Sequence, residues 1–393
     1  MENIEVKDKI ADVDSQPKSE ETRVKVSVIM PIYNAFDYLR PALDSIIDQT
    51  LKDIEIICID DGSTDRSLDI VKKYQEADKR LRIVTENNAG VSTARNKGIV
   101  RAKGEYIIFL DADDFYEPTL LEKLYNLATE KDLDIAFSKF DIYNNKTAKF
   151  SSAIDEDHGD IFDGGAIASK NEFPDTIFLS TTGYVWNKMF KASFIKEKEL
   201  TFAPELYIFE DVHFVCLALS FADRVARIDE ILIHHRVYSE QSRAKLFRKY
   251  YNNVPEVYLK IKEQLSHQGM YIPLSVSYLN LSASRHYKIY NLLWNDGKEE
   301  FWNLLHSGYA DALGWYRHAP SDFESLEVYD FVANVGLYTH GQYETRLKKG
   351  KTLDTENLEL DELNKKIKNA KRKEKLSDAG RGLFSIFGKK NKK

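Results

Sequence analysis

The chain has 393 residues, of which 43% are hydrophobic and 12% aromatic, and its formal net charge is −7. This composition predicts a globular protein with a substantial buried core, and the negative charge argues against nucleic acid as the main partner. Cys58 and Cys216 lie inside apolar runs and form no disulfide framework, which suits a reducing cytoplasm. The polar residues 1–23 predict a flexible leader without a signal peptide, and no stretch approaches the roughly 20 apolar residues of a membrane span.

From Val24 onward, apolar β-rich runs alternate with amphipathic segments. This alternation predicts an α/β fold with a mostly parallel sheet that helices cover on both faces. Ligands of such sheets bind beyond the carboxyl ends of the strands. The predicted strands are VKVSVIMPIYN, EIICIDD, LRIVTEN and EYIIFLDADD, and the predicted helices are YLRPALDSIIDQT, DRSLDIVKKYQEA and VSTARNKGIVRA.

Each predicted strand ends in a polar cluster, so we expect four clusters on one edge of the sheet. The DDGSTD segment also fits a turn followed by a helix cap, with Ser63 or Thr64 as the cap, and both interpretations stay open. Four such clusters on successive strand ends are harder to explain as turns alone. The clusters are Pro31 to Asn34, Asp60 to Asp65, the segment NNAGVSTARN, and DADD.

The fourth strand ends in Asp111, Asp113 and Asp114, and these carboxylates would repel one another unless a cation lay between them. A calcium loop of the EF-hand type does not fit, because Tyr116 stands where that loop requires glycine. The first strand leads into PIYNAFDYL, which excludes the glycine-rich loops of dinucleotide-binding folds and P-loops. A nucleotide site remains, in which a metal held by Asp-x-Asp neutralises a diphosphate.

The motifs SVIMPIYN, DDGSTD, NAGVSTARNKG and DADD, in this order and spacing, closely resemble the family 2 inverting glycosyltransferases, over roughly residues 24–240. The resemblance implies a GT-A fold, a Rossmann-like mixed sheet that is mostly parallel and flanked by helices. It also implies a nucleotide-binding half at residues 24–115 and an acceptor half at residues 116–240.

The resemblance further implies a nucleotide-sugar donor, a UDP-sugar in our prediction, and Mn²⁺ or Mg²⁺ as cofactor. Asp61 would accept a hydrogen bond from the uracil ring. Asp111 and Asp113 would form the D-x-D motif, with Asp113 as a direct metal ligand. The donor-site residues implied in this way are Pro31, Tyr33, Asn34, Asp60, Asp61, Asn88, Gly90, Arg95, Asp111 and Ala112.

Bacterial members of the family commonly carry a W-N-K segment followed by an E-D pair. This chain has both, and the resemblance assigns the general base to Asp211. Structural alternatives stay open, because an acidic pair also suits a helix N-terminus and a tryptophan also suits a core. The residues predicted to contact acceptor or diphosphate are Trp186, Asn187, Lys188, Glu210, Arg236 and Ser242.

His234 and His235 stand where the family more often has aromatic residues. We interpret them as hydrogen-bonded structural histidines rather than metal ligands.

Residues 241–350 are rich in aromatics at helical spacing, which predicts a helical C-terminal region. It could cap the acceptor site, bind a partner or mediate self-association into a homo-oligomer. Residues 351–393 form a charged tail, and from Asn364 onward it carries 12 Lys/Arg against 2 Asp/Glu. The ending RGLFSIFGKKNKK favours contact with an anionic membrane surface, and a solubilising or protein-binding tail is the alternative.

The sequence therefore predicts a cytoplasmic, metal-dependent, inverting glycosyltransferase at the inner face of the cell membrane. It would move one sugar to a hydroxyl of a glycan, glycolipid or glycoprotein in bacterial surface-glycan assembly. The processive synthases of the family add a Q-x-x-R-W motif and membrane helices, which this sequence lacks, so distributive addition is expected. The contrasting hypothesis is a degenerate domain that acts as a binding or scaffold module.

Overall fold

The computed structural model describes residues 23–153, 159–237 and 249–349. In these ranges nine strands form one sheet. The strands are β1 (Val26–Ile32), β2 (Ile54–Asp60), β3 (Leu81–Thr85), β4 (Tyr106–Phe109), β5 (Phe115–Tyr116), β6 (Ile135–Asn144), β7 (Lys149–Ser152), β8 (Lys188–Lys191) and β9 (Val225–Val237).

The sheet is mixed, with the strand order β3, β2, β1, β4, β8, β6, β9, β5, and β7 pairs with β6. The pairs that join β1 to β2, β1 to β4 and β2 to β3 are parallel, whereas β8 runs antiparallel to both β4 and β6. The predicted alternation of strands and helices is confirmed, and the carboxyl ends of β1, β2 and β4 meet at one edge.

The sheet is buried on both faces because its strands alternate between two cores. In β1, Val26, Val28 and Met30 pack into one core, while Ile29 packs into the other. In β4, Ile108 packs into the same core as Val28, and Ile107 packs into the same core as Ile29. A strand that is apolar at every position is therefore expected at the centre of this fold.

Helices cover both faces of the sheet. Helices α1, α2 and α4 bury their apolar faces on the same side as Val28, whereas α6 packs on the side of Ile29. Helix α3 also lies on that second side, where Ala94 contacts Ile57 and Ile59 of β2. The helices are α1 (Leu39–Ile47), α2 (Ser67–Ala77), α3 (Val91–Arg101), α4 (Leu120–Glu130), α5 (Ala192–Glu197) and α6 (Glu210–Phe221).

The C-terminal region is helical, as predicted, and it shares a core with the sheet. One continuous apolar cluster runs from Ile29 through Phe214 to Trp302 and Tyr343. None of the helices in the described ranges is long and apolar enough to cross a bilayer. The C-terminal helices are α7 (Val254–His267), α8 (Ser275–Leu292), α9 (Asn295–Leu304), α10 (Ala310–Ala312), α11 (Leu326–Leu337) and α12 (His340–Lys348).

The contact between α3 and β1 depends on a glycine. A Cβ atom added at Gly98 would lie 2.3 Å from Cγ2 of Ile29, a buried core atom. We expect Gly98→Ala to lower the free energy of unfolding by about 1–3 kcal/mol, the usual cost of overpacking a core. Urea denaturation measures this loss.

Gly341→Ala is the matched control, because a Cβ atom there meets nothing within 4 Å. It should leave the stability unchanged or raise it by up to about 1 kcal/mol. Equal stability of the two variants would contradict close packing of α3 on β1.

Candidate active site

The loops that follow β2 and β3 are held together at the strand ends. The carboxylate of Asp61 is buried and accepts hydrogen bonds from the backbone N–H groups of Ala89 at 2.7 Å and Gly90 at 2.8 Å. Gly62 has φ +74°, and a Cβ atom there would lie 2.8 Å from the backbone nitrogen of Asn88. The glycine of DDGSTD is therefore required both for its backbone conformation and for the close approach of the two loops.

Asn34 joins the end of β1 to the loop that precedes α2. Its φ is +49°, and its Oδ1 accepts a hydrogen bond from the backbone N–H of Thr64 at 2.8 Å. The predicted caps Ser63 and Thr64 do not cap α2, because the helix begins at Ser67 and its backbone N–H donates to Asp65 at 2.9 Å. The DDGSTD segment thus forms the turn that leads into α2, and it also holds the end of β1 in place through Asn34.

Two side chains at this edge are available for further contacts. The side chain of Tyr33 is 51% exposed at the end of β1, although aromatic rings of this size are usually covered. Oδ1 of Asp60 is buried and has no hydrogen-bond partner within the described ranges. Pro31, two residues before Tyr33, is half-buried, whereas Asn88 and Gly90 are exposed on the neighbouring loop.

Arg95 connects the two halves of the site. Its guanidinium is buried, and it donates to Oδ1 of Asp111 at 3.1 Å and to Oε1 of Glu210 at 2.9 Å. The same group lies over the ring of Phe202, with 5.2 Å between Cζ and the ring centroid. A buried guanidinium with two carboxylate partners fixes the position of both acids. Arg95 therefore links the D-x-D motif to the E-D pair.

The acidic strand end has the geometry of a cation site. Asp111, Asp113 and Asp114 each offer a carboxylate oxygen within 4.8 Å of the others. Oxygen ligands of this kind suit Mg²⁺ or Mn²⁺, so these residues fit the predicted cofactor. Ala112, between the first two acids, is buried.

Asp114 differs from Asp111 and Asp113 in that it is fully buried. The fully buried carboxylate lies 3.1 Å from Nδ1 of His235 and accepts the backbone N–H of Arg236 at 2.8 Å. Burial raises the pKa of Asp114, and the nearby imidazole opposes that shift. Asp114 anchors β9 beside the cluster, a role that its place in DADD did not reveal.

Arg236 lies next to the acidic cluster, as its predicted contact with the diphosphate requires. Its Nε donates to the backbone carbonyl of Asp113 at 2.7 Å, and Nη1 donates to Asn145 at 2.7 Å. Its guanidinium also lies over the rings of Phe115 and Tyr143. The arginine thus fixes the backbone of the D-x-D motif from β9.

The W-N-K segment has a supporting role in this structure. The ammonium of Lys188 is fully buried and donates to the carbonyls of Thr182 and Tyr184 at 2.7 Å each, and to Oδ1 of Asn187 at 2.8 Å. Trp186 is buried and stacks on His235 with 5.0 Å between ring centroids. The core alternative for Trp186 therefore fits this geometry, and Lys188 holds the loop instead of facing the diphosphate.

The two histidines are both hydrogen-bonded to carboxylates. His234 lies between Asp141 at 2.7 Å and Glu117 at 3.0 Å, while His235 contacts Asp114. This agrees with their interpretation as structural histidines. The pairings could not be read from the sequence, because each partner is more than 90 residues away along the chain.

Asp211 has a strongly shifted carboxyl pKa. Burial raises the pKa of its carboxyl to about 7, Glu210 adds to the shift, and Arg95 opposes it. Asp211 lies in the first turn of α6, two residues after Phe209, whose φ is +54°. A non-glycine residue in this region carries backbone strain, which is common at functional sites. A carboxyl that titrates near pH 7 can take a proton at physiological pH.

The predicted site residues therefore fall into three groups. One group surrounds the edge of the sheet, a second supports the loop that carries Trp186, and Ser242 lies outside the described residues. The residues at the edge are Pro31, Tyr33, Asn34, Asp60, Asp61, Asn88, Gly90, Arg95, Asp111, Ala112, Asp113, Glu210, Asp211 and Arg236.

Comparison with known proteins identifies the family. The sequence model described as Glycosyl transferase family 2 matches residues 27–194. The uncharacterized glycosyltransferase YibD of Escherichia coli is 33% identical over 312 residues, which are 77% of this chain and 78% of YibD. The chain belongs to glycosyltransferase family 2. The putative glycosyltransferase EpsH of Bacillus subtilis is 34% identical over 222 residues, 54% of this chain, and the match spans 61% of EpsH.

Solved structures agree with the family 2 fold. The crystal structure of S. aureus TarS 1-349 in complex with UDP-GlcNAc superposes with a TM-score of 0.64 at 21% identity. The superposition covers 83% of this chain and 92% of that one. The GT-A fold with a helical C-terminal region is thereby confirmed.

The raised pKa of Asp211 predicts how stability depends on pH. Between about pH 4 and pH 7 the unfolded chain has released this proton while the folded chain still binds it, so this carboxyl lowers stability as the pH rises. We expect Asp211→Asn to gain stability relative to the unmodified protein, on the order of 1–3 kcal/mol more at pH 8 than at pH 4. Urea denaturation at both pH values measures the difference, and a difference that does not change with pH would contradict the shift.

Proposed function

We propose that this chain transfers a single sugar from a nucleotide-sugar donor to an acceptor hydroxyl. The observation that carries the proposal is the Arg95 bridge, which brings the acids of D-x-D and E-D into one site. A donor diphosphate at Asp111 and Asp113 would then lie beside Asp211, the base that the acceptor requires. Family 2 membership supports this reaction class.

The donor in this proposal is a UDP-sugar. TarS was crystallised with UDP and with UDP-GlcNAc, and its fold is that of this chain. Tyr33 offers an exposed ring on which a base can stack, and Asp60 offers a buried oxygen without a partner among the described residues. Asp61 already accepts two backbone N–H groups, and its carboxylate has remaining lone pairs for a uracil N–H.

The reaction is a single displacement. Asp211 takes the proton from the acceptor hydroxyl as that oxygen forms a bond to the anomeric carbon. The bond from the anomeric carbon to the diphosphate oxygen breaks, and the nucleoside diphosphate leaves with its electron pair. Attack on the face opposite the leaving group inverts the anomeric configuration. Arg95 pairs with Glu210 and thereby fixes the start of α6, where Asp211 lies.

Asp111 and Asp113 would hold the cofactor, either Mn²⁺ or Mg²⁺. Such an ion neutralises charge that develops on a departing diphosphate. Asp114 is buried and hydrogen-bonded to His235 and to the backbone N–H of Arg236, so its role is to position the acidic cluster against β9.

The acceptor in this proposal belongs to a bacterial surface glycan, glycolipid or glycoprotein. The basic residues of the C-terminal tail lie outside the described ranges. Their contact with an anionic membrane, at its cytoplasmic face, stays a prediction, and it would place the enzyme near a lipid-linked acceptor.

Asp113→Asn tests the cofactor site. Loss of one carboxylate ligand should abolish turnover and weaken metal-dependent binding of UDP by at least about tenfold. Calorimetry with UDP, with and without Mn²⁺, and assay of UDP released from a panel of UDP-sugars measure the two effects. Asp69→Asn, an exposed change of the same kind on α2, should match the unmodified protein. Turnover by Asp113→Asn at the normal rate would reject the metal assignment.

Asp211→Asn tests the base. Removal of the proton acceptor should lower transfer by about two to four orders of magnitude while donor binding persists. In the unmodified protein, the rate should rise with pH and level off above about pH 7, where this carboxyl is ionised. A variant that no longer binds donor would place Asp211 in the donor pocket. Failure of every UDP, GDP and dTDP sugar to bind the unmodified protein would favour the scaffold alternative.

A further inference from the structure

A small cavity lies where the C-terminal region meets the loop before β8. Its walls are the loop residues 178–183 on one side and helix α8 on the other, and its volume is about 40 Å³. The two walls are tied together, because the backbone N–H of Phe178 donates to Oγ of Ser277 on α8 at 2.8 Å. The cavity is thus a fixed feature of the interface between the sheet and the C-terminal helices.

Both walls of the cavity touch the residues that flank the E-D pair. Gly183 packs so closely on Val212, the residue after Asp211, that an added Cβ atom would lie 2.7 Å from it. From the other wall, the guanidinium of Arg285 lies over the ring of Phe209, with 5.5 Å between Cζ and the ring centroid. Phe209 directly precedes Glu210. The cavity therefore adjoins the residues on both sides of the E-D pair.

The charged groups that line the cavity favour an anion. Arg285 and Lys288 are three residues apart and lie on one face of α8. Lys288 is exposed and has no ion-pair partner within the described ranges. One acid, Glu324, also lines the cavity, and its Oε2 accepts a hydrogen bond from Oγ of Ser284 at 2.7 Å. The lining groups carry a net positive charge.

Two hydroxyl groups in the same wall lack partners. Thr181 and Thr182 are both more than nine-tenths buried, and neither Oγ1 has a hydrogen-bond partner among the described residues. Buried hydroxyl groups are normally hydrogen-bonded, so a ligand that accepts hydrogen bonds would satisfy them.

We propose that this cavity binds one phosphate group of the acceptor, next to the hydroxyl that receives the sugar. Arg285 and Lys288 would bind the anionic oxygens, and the threonine hydroxyl groups would donate to them. At about 40 Å³ the cavity has room for roughly three waters, which suits a phosphate group and is too small for a sugar ring. The inference rests on the proposed function and specifies its acceptor as a phosphate-bearing one.

The test measures the binding of inorganic phosphate to the full chain. Saturating UDP is present to block the donor site, and methyl signals of Thr181 and Thr182 report binding by NMR. Arg285→Gln should weaken phosphate binding by about tenfold or more, the usual effect of losing a charge-assisted hydrogen bond. Glu324→Gln should tighten it, because it removes the negative charge from the wall. Lys348→Gln, the same loss of charge at an exposed site on α12, should have no effect.

The two cavity variants are expected to change the phosphate affinity in opposite directions. This separates an effect on binding from misfolding, because a damaged fold would not bind phosphate more tightly. Absence of a saturable shift, or equal affinities in all variants, would overturn the proposal. Binding of UDP is measured in the same samples by calorimetry. If UDP binds and phosphate does not, only the acceptor subsite is rejected. If neither UDP nor any GDP or dTDP sugar binds, the proposed function fails as well.

Discussion

The site depends on one buried cation. Arg95 lies on α3, and its two carboxylate partners come from the end of β4 and the start of α6, 16 and 115 residues away along the chain. Because a buried guanidinium without partners would be very costly, these contacts restrict where β4 and α6 can end and begin. Gly98, one turn further along the same helix, packs directly on Ile29. Catalytic geometry and core packing are thus fixed by one helix.

The edge of the sheet could be predicted from the sequence because it follows from local patterns. Apolar runs specify buried parallel strands, and the polar residues after each run must then meet at the same edge. Asp60, Asp61, Asp111 and Asp113 were located in this way. The family resemblance added the role of Asp211, for which a helix N-terminus was the structural alternative. In the structure α6 begins at Glu210 and the pKa of Asp211 is raised, which is compatible with both interpretations, and the role of general base stays a prediction.

The burial of individual charged side chains could not be predicted in the same way. Lys188 looked available for a diphosphate, yet its ammonium is satisfied by carbonyls of its own loop. Asp114 looked like a third metal ligand, yet β9 supplies its partners. In both cases the local sequence gives the charge but not the burial, and burial decides whether a charged group faces a ligand or stabilises the fold.

The two apolar cores are completed at different points along the chain. The core on one face of the sheet draws on residues between Val26 and Ile233, whereas the core on the other face extends to Tyr343. During synthesis, one face of the sheet can therefore close while the opposite face still lacks α7 to α12. Until those helices emerge from the ribosome, the apolar side of α6 stays open to water. This interval is when the nascent protein would most need a chaperone.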